Sequence, residues 1–148
     1  MAATANFELP LLVTAQAQKE VTHNEALVII DALLRSAVEE RPRAAPPDNP
    51  ENGQCWLVSD APSGAWSGAA QHIAVWTEGG WRFVMPRHRM TIRCLTDGTI
   101  MTFNGSIWNL PVTIVEPDGG STVDMEARAV LAEVIQLLEG HGLVNSAL

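Results

Sequence analysis

Apolar and polar positions follow three different patterns along the chain. Residues 23–38 carry apolar side chains at helical spacing, so that one face is apolar. Residues 53–110 alternate short apolar runs with glycine-rich turns, which is typical of antiparallel strands. From residue 123 to residue 141, apolar positions recur at alternating steps of four and three, as in the seam of a coiled coil. The chain therefore predicts an α+β fold, with an N-terminal helix, a small antiparallel Trp-rich β-meander and a C-terminal amphipathic helix.

The first helix is expected to begin after Thr22. Thr22 and Glu25 have the spacing of a capping box, in which the Thr hydroxyl accepts from the Glu amide and the Glu carboxylate accepts from the Thr amide. The polar stretch before it, residues 16–20, is either a separate helical turn or a polar connector. The apolar residues that share one face of the helix are Leu27, Ile30 and Leu34.

The middle of the chain is the β region and the segment that leads into it. Residues 39–52 contain four prolines, which forbid a helix and disfavour a central strand, so this segment is a stiff linker or a wrapping segment. Strands are predicted over residues 54–59, 72–77, 80–85, 90–95, 100–103 and 106–110. Two hairpins each place an aromatic residue five positions before a Trp, which predicts a duplicated hairpin module. The two pairs are Trp76 with Trp81 and Phe103 with Trp108.

The C-terminal part ends in a second helix. Residues 112–122 begin with strand-like residues, and Ser121 or Thr122 is expected to cap the helix that follows. Gly140 and Gly142 supply its end. The helix covers fewer than three heptads, which is too short to hold an oligomer alone but long enough to complete an interface. The chain is thus divided into an arm, helix and linker (residues 1–52), a β-meander domain (53–116) and a C-terminal helix (117–148).

Charge and hydropathy exclude several classes of protein. The 148 residues carry a net charge of −8, and residues 112–148 hold six acidic residues and one basic residue. Lys19 is the one lysine, so the sequence lacks the clustered cations that nucleic-acid binding requires. No apolar run approaches the ~20 residues that span a bilayer, so we expect no membrane insertion. The N-terminus has no basic segment of the kind found in signal peptides, and we expect synthesis in a cytoplasm.

Motifs that carry catalysis or bind metals are missing from the sequence. The four histidines lack metal-ligand spacing, and no phosphate-binding loop or nucleophile motif is present. We therefore expect no enzymatic activity, no cofactor and no metal. Cys55 and Cys94 both lie in strand-like contexts, where they are either buried reduced thiols or partners in a disulfide.

Tryptophan is the residue type most open to a functional interpretation. Five Trp residues lie within 53 positions, and the chain has no Tyr. They either fill the core of a small β domain or present flat rings to a glycan. Trp66, between two glycines in a loop, is expected to be exposed, whereas Trp56 and Trp76 are expected in the core. The candidate glycan contacts are Trp66, Trp81, Trp108 and Arg82.

One stretch also resembles a known family. The sequence QAQKEVTHNEAL (residues 16–27), followed by the Trp-containing pieces GQCWLV, GAWSG, IAVW and GWRFV, resembles the family known as domain of unknown function 2793. The resemblance covers about residues 9–86. It implies a virion protein of a phage, prophage or gene transfer agent, of the tail-fibre or head-spike kind. It implies no catalytic residues.

The resemblance and the helices together lead to a functional expectation. We expect a virion structural protein, a tail-fibre or spike domain for host attachment that forms a homotrimer, docks on other virion proteins and contacts host surface polysaccharide. The alternative is a carbohydrate-binding module that acts through exposed Trp residues. The residues expected at the oligomer or docking surface are Gln16, Gln18, Glu20, Asn24, Leu27, Ile30, Leu34, Val130, Val134 and Leu137.

Overall fold

A computed structural model describes residues 2–12, 19–115, 118–120 and 124–145 of the chain. Its helices and strands are α1 (Lys19–Arg35), β1 (Ala37–Val38), β2 (Cys55–Leu57), β3 (Ile73–Thr77), β4 (Gly80–Val84), β5 (Thr91–Cys94), β6 (Ile100–Phe103), β7 (Trp108–Asn109) and α2 (Met125–Gly140), with a 3₁₀ turn at Gly64–Trp66. The predicted α+β class, with one helix at each end of a β region, is confirmed.

The strands form two small sheets. One has the order β1-β5-β6-β7 and the other the order β2-β3-β4. All neighbours are antiparallel except β1 and β5, which are parallel. Side chains from both sheets and from α1 enclose one apolar core, whose fully buried members include Val38, Leu57, Val75, Cys94 and Met101.

The bounds of the first helix differ from the prediction at both ends. α1 begins at Lys19, so Thr22 and Glu25 lie inside the helix and form no capping box. The Glu25 carboxylate instead pairs with the Arg82 guanidinium on β4. At the other end, Ser36 takes a positive φ of 48° and stops the helix. Residues 37–38 then join β5 as β1, because Arg93 N–H and Leu95 N–H donate to the carbonyls of Ser36 and Val38.

The predicted hairpins form with the expected pairing. Trp76 lies directly opposite Trp81 across β3 and β4, and Phe103 lies directly opposite Trp108 across β6 and β7. The five-residue spacing in the sequence is therefore a real structural repeat. The strands are one to three residues shorter at their ends than predicted, except β6, which has the predicted bounds.

The proline-rich segment wraps along the edge of β2. Glu39 N–H donates to the Cys55 carbonyl at 2.9 Å, and Arg43 N–H donates to the Leu57 carbonyl at 3.1 Å. In the opposite direction, Ser59 N–H donates to the Arg43 carbonyl at 2.9 Å. Its prolines fit this place, because an edge segment needs few donors. Of the two interpretations of this segment, the structure shows the wrapping one.

The second helix begins and ends with defined caps. Ser121 and Thr122, the predicted caps, lie outside the described residues, and the Asp124 carboxylate accepts from Ala127 N–H at 2.9 Å. At the other end Gly142 adopts φ +72°, and its N–H donates to the Glu139 carbonyl. The N–H of Leu143 donates to the Leu138 carbonyl. These two bonds form a Schellman motif, so Gly142 ends the helix as predicted.

The strand-like residues before α2 form no strand among the described residues. Thr113 makes one isolated bridge to Asn145. The turn after α2 is fixed to the larger sheet, because Ile100 N–H donates to the Gly142 carbonyl at 3.0 Å. This hydrogen bond anchors the C-terminal end of α2 on the body of the protein.

Candidate functional site

Helix α1 has one face in the core and the opposite face in solvent. Val28, Asp31 and Ala32 are buried, whereas Ile30 and Leu34 expose 47% and 60% of their surface. Leu27, on the same outer face, is half-buried. The apolar row that the sequence indicated therefore points away from the chain's own core. We call Leu27, Ile30 and Leu34 the α1 outer row.

Helix α2 shows the same arrangement more strongly. Ile135 is the one buried residue of this 16-residue helix, all of which is described. Val130, Val134 and Leu137, the seam residues, expose 58%, 45% and 61% of their surface. We call these three residues the α2 outer row. A helix with so much apolar surface facing water gains little stability from its own chain.

The polar residues predicted for docking are placed differently. Gln16 and Gln18 lie outside the described residues. Glu20 is half-buried, and its Oε2 has no hydrogen-bond partner among the described residues. The Asn24 carboxamide accepts from Leu12 N–H at 3.0 Å and donates to the Leu12 carbonyl at 3.1 Å. Asn24 thus holds the N-terminal arm, and its assignment to docking stays a prediction.

The buried carboxylate of Asp31 is the main attachment of that arm. Its Oδ1 accepts from the Thr4 hydroxyl and Phe7 N–H, both at 2.7 Å. Its Oδ2 accepts from Asn6 N–H at 2.8 Å and from Asn6 Nδ2 at 2.9 Å. Burial would raise the pKa of this carboxyl, but the hydrogen bonds from Thr4, Asn6 and Phe7 outweigh it and hold the pKa below its ordinary value of 3.8.

The sequence analysis missed this attachment. A signal was present, because Asp31 is the one charged residue in the apolar run VIIDALL. A charge at such a position is rarely buried without partners. The partners themselves come from residues 4–7, some 25 positions away, and no local pattern identifies them.

Trp66 is fully buried, so the expectation that it is exposed was wrong. The 3₁₀ turn folds its ring onto the outer face of the β2-β3-β4 sheet, 5.1 Å from the ring of Trp81 and 6.5 Å from that of Trp56. Gly64 and Gly68, with φ of 60° and 85°, allow the chain to turn there. The flanking glycines therefore indicate a tight return of the chain and not an exposed loop tip.

The other candidate glycan contacts do not meet on one surface either. Trp108 is buried in the main core, and its Nε1 donates to the Gln71 carbonyl at 2.9 Å. Trp81 is half-buried and packs against the buried rings of Trp56 and Trp66. Arg82 forms an ion pair with Glu25. Assignment of Trp66 and Trp108 as exposed glycan contacts was wrong, because both rings fill cores. Trp56 is buried as predicted, and Trp76, predicted for the core, is half-buried.

The two cysteines and the potential metal ligands can be located in the described part of the chain. Cys55 and Cys94 are both free and buried, so of the two alternatives the reduced thiols are the ones observed. Burial raises the pKa of Cys55 to about 12. Among the described residues, no group of three or more His, Cys, Asp or Glu side chains could hold a metal ion. Within the same ranges, no helix is long and apolar enough to cross a membrane.

Comparison with known proteins assigns the chain to a family. A family model described as "Protein of unknown function (DUF2793)" matches residues 23–109. No curated protein matches the chain. The matched range includes most of α1, both hairpins and all five Trp residues. Because it spans more than half of the 148 residues, the chain belongs to the protein family of unknown function DUF2793.

Proposed function

We propose that the protein is a virion structural protein, an attachment domain of a phage-like tail fibre or spike that assembles as a homotrimer. It is made in the cytoplasm of the host bacterium and incorporated into the particle, where it contacts other virion proteins. The observation that carries the self-association is the pair of outer rows on α1 and α2. The choice of a virion comes from the family resemblance.

The outer rows support assembly because their apolar side chains are largely exposed to water on the single chain. Soluble monomers rarely expose apolar side chains in continuous helical rows. Burying one Val or Leu side chain contributes about 1.5–3 kcal/mol, so each row offers a substantial driving force. α2 alone is too short for a stable coiled coil, since its 16 residues span about 24 Å. Both helices are therefore assigned to the interface between copies.

The role is proposed as non-enzymatic, without a cofactor. It is supported by the sequence, which lacks catalytic and metal-binding motifs. The alternative of a carbohydrate-binding module acting through exposed Trp residues is weakened, because Trp66 and Trp108 fill cores. A glycan contact would have to use another surface.

The assembly is tested by placing a charge in the α2 outer row. Val134→Asp is expected to weaken association at least tenfold, because the carboxylate would be buried against apolar side chains of the other copies. Gln136→Asp is the matched control, since Gln136 is exposed on α2 but lies off the row. Sedimentation equilibrium of both variants and the unmodified chain gives the association constants. Equal association of the two variants would contradict the proposal.

A further inference from the structure

The second half of the β region carries a charge opposite to that of the whole protein. Residues 79–115 contain four Arg and a single acidic residue, Asp97, in a chain whose net charge is −8. Asp97 is already paired, because Arg41 Nε contacts its Oδ2 at 2.6 Å. Asp97 is therefore not available to neutralise the Arg residues of this segment.

Two of the four Arg side chains have internal partners and two do not. Arg82 pairs with Glu25, and Arg93 donates to the Gly98 carbonyl at 2.7 Å. Arg87 and Arg89 make no side-chain hydrogen bond or ion pair with any residue in the ranges that the structure describes, and both are exposed. These two cations are thus available to an external anion.

Arg87 lines an open cavity of about 430 Å³. The cavity lies where three segments meet: the residues before β3, the residues after β4 and the turn between β6 and β7. Its volume falls within the range of about 300–1,000 Å³ that is usual for small-ligand sites. None of its lining residues is acidic. Its lining includes Arg87, His88, His72, Ser106, Met85 and Phe103.

The polar lining residues suit an anion that also carries hydroxyl groups. A guanidinium such as that of Arg87 binds a carboxylate through two parallel hydrogen bonds. The His72 Nδ1 contacts the Ala70 carbonyl at 2.9 Å, which leaves its Nε2 for another partner. His88 and Ser106 add a ring and a hydroxyl group with hydrogen-bonding capacity. Gln71 lines the cavity but is not assigned to the ligand, because its side chain already accepts from Trp108 N–H and donates to the Asp60 carboxylate.

The exposed apolar side chain of the lining suits the carbon face of a sugar ring. Met85 exposes 61% of its surface, whereas Phe103 exposes only 6% and belongs to the main core. Apolar surface beside a cation and hydroxyl partners matches a molecule with a C–H face, hydroxyl groups and one acid group. A simple inorganic anion would leave the apolar part unused.

We propose that this cavity binds an acidic sugar residue, with its carboxylate on Arg87 and its ring against Met85. The choice of a sugar rests on the proposed attachment function, whereas the preference for an anion rests on the lining residues themselves. The site differs from the Trp-based one expected from the sequence, and it uses the hairpin ends instead of the Trp rings.

Calorimetric titration of the full chain with glucuronate, galacturonate, N-acetylneuraminate and glucose tests the proposal. At least one acidic sugar is expected to bind, and glucose, which lacks the carboxylate, is not. Arg87→Gln is expected to weaken acidic-sugar binding by about tenfold or more, because a charge-assisted pair is lost. Arg89→Gln is the matched control, since Arg89 is also an exposed cation, two residues away, and does not line the cavity. It is expected to keep binding within about twofold.

Three results would overturn the proposal. They are failure of all three acidic sugars to bind, equal loss of binding in both Arg variants, and binding of acetate or phosphate as tight as that of the sugars. The last result would make the cavity a general anion site. A separate mass measurement distinguishes this failure from that of the proposed function. A trimer that binds no sugar rejects the cavity site alone, and a monomer that binds acidic sugar rejects the assembly alone.

Discussion

Replacing Asp31 by Asn should detach the N-terminal arm while changing almost no volume. The carboxylate accepts four hydrogen bonds, two on each oxygen. A carboxamide has one oxygen, so its NH₂ group must face two of the donors. The better orientation turns NH₂ toward Thr4, whose hydroxyl can rotate to accept, but Phe7 N–H then loses its acceptor.

The expected cost follows from these contacts. One buried donor left unsatisfied costs about 1–3 kcal/mol, and each remaining bond falls from a charge-assisted to a neutral one. The sum is about 3 kcal/mol after partial relaxation, which corresponds to roughly a hundredfold change in the opening equilibrium of the arm. Hydrogen exchange at the amides of Asn6 and Phe7 should accelerate by that factor, and urea unfolding should show a lower free energy of unfolding.

Asp48→Asn is the control, because Asp48 is exposed and its side chain makes no hydrogen bond or ion pair with the described residues. A second test is pH. The pKa of Asp31 is lowered by folding, so its stabilisation is complete above the ordinary value of 3.8 and disappears as the pH falls through the lower folded value. The difference in free energy of unfolding between the unmodified chain and Asp31→Asn should be constant from pH 7 to pH 5 and should become smaller below about pH 4. Unchanged exchange and a difference below about 0.5 kcal/mol would refute the reasoning.

Two further predictions concern the end of α2 and the buried thiols. Gly142→Ala should lower the melting temperature and speed hydrogen exchange in α2, because φ is +72° and the new Cβ would overlap the Gly98 carbonyl oxygen. Gly140→Ala is the control and should be neutral or stabilising, because its Cβ would have no neighbour within contact distance. Equal melting temperatures of the two variants would contradict this prediction. Cys55, with its pKa raised to about 12 by burial, should not react with a thiol-specific disulfide reagent at pH 8 until the protein is unfolded, so rapid reaction of the folded protein would show that the site is open.

Local sequence patterns predicted the elements that depend on near neighbours. The spacing from Trp76 to Trp81 and from Phe103 to Trp108 fixed two hairpins, because a tight turn sets the register by itself. The outer row of α2 followed from helical periodicity. The coiled-coil spacing indicated which residues share a face but not whether that face meets the chain's own core.

Features that depend on distant residues could not be predicted in the same way. β1 forms because residues 37–38 pair with β5, more than 50 positions away, and this pairing ended α1 earlier than its apolar pattern suggested. The burial of Trp66 depends on where the β2-β3-β4 sheet presents its outer face. The cavity at Arg87 likewise combines three segments that are separate in sequence.

Self-association through the two outer rows is the central claim, and the mass of the unmodified protein in solution tests it most directly. Light scattering after size exclusion, repeated over a range of concentrations, should give a species of three times the 16.0 kDa chain. A single species of 16.0 kDa at every concentration would contradict the assembly and leave the exposed rows of α1 and α2 without a role in joining copies of this chain.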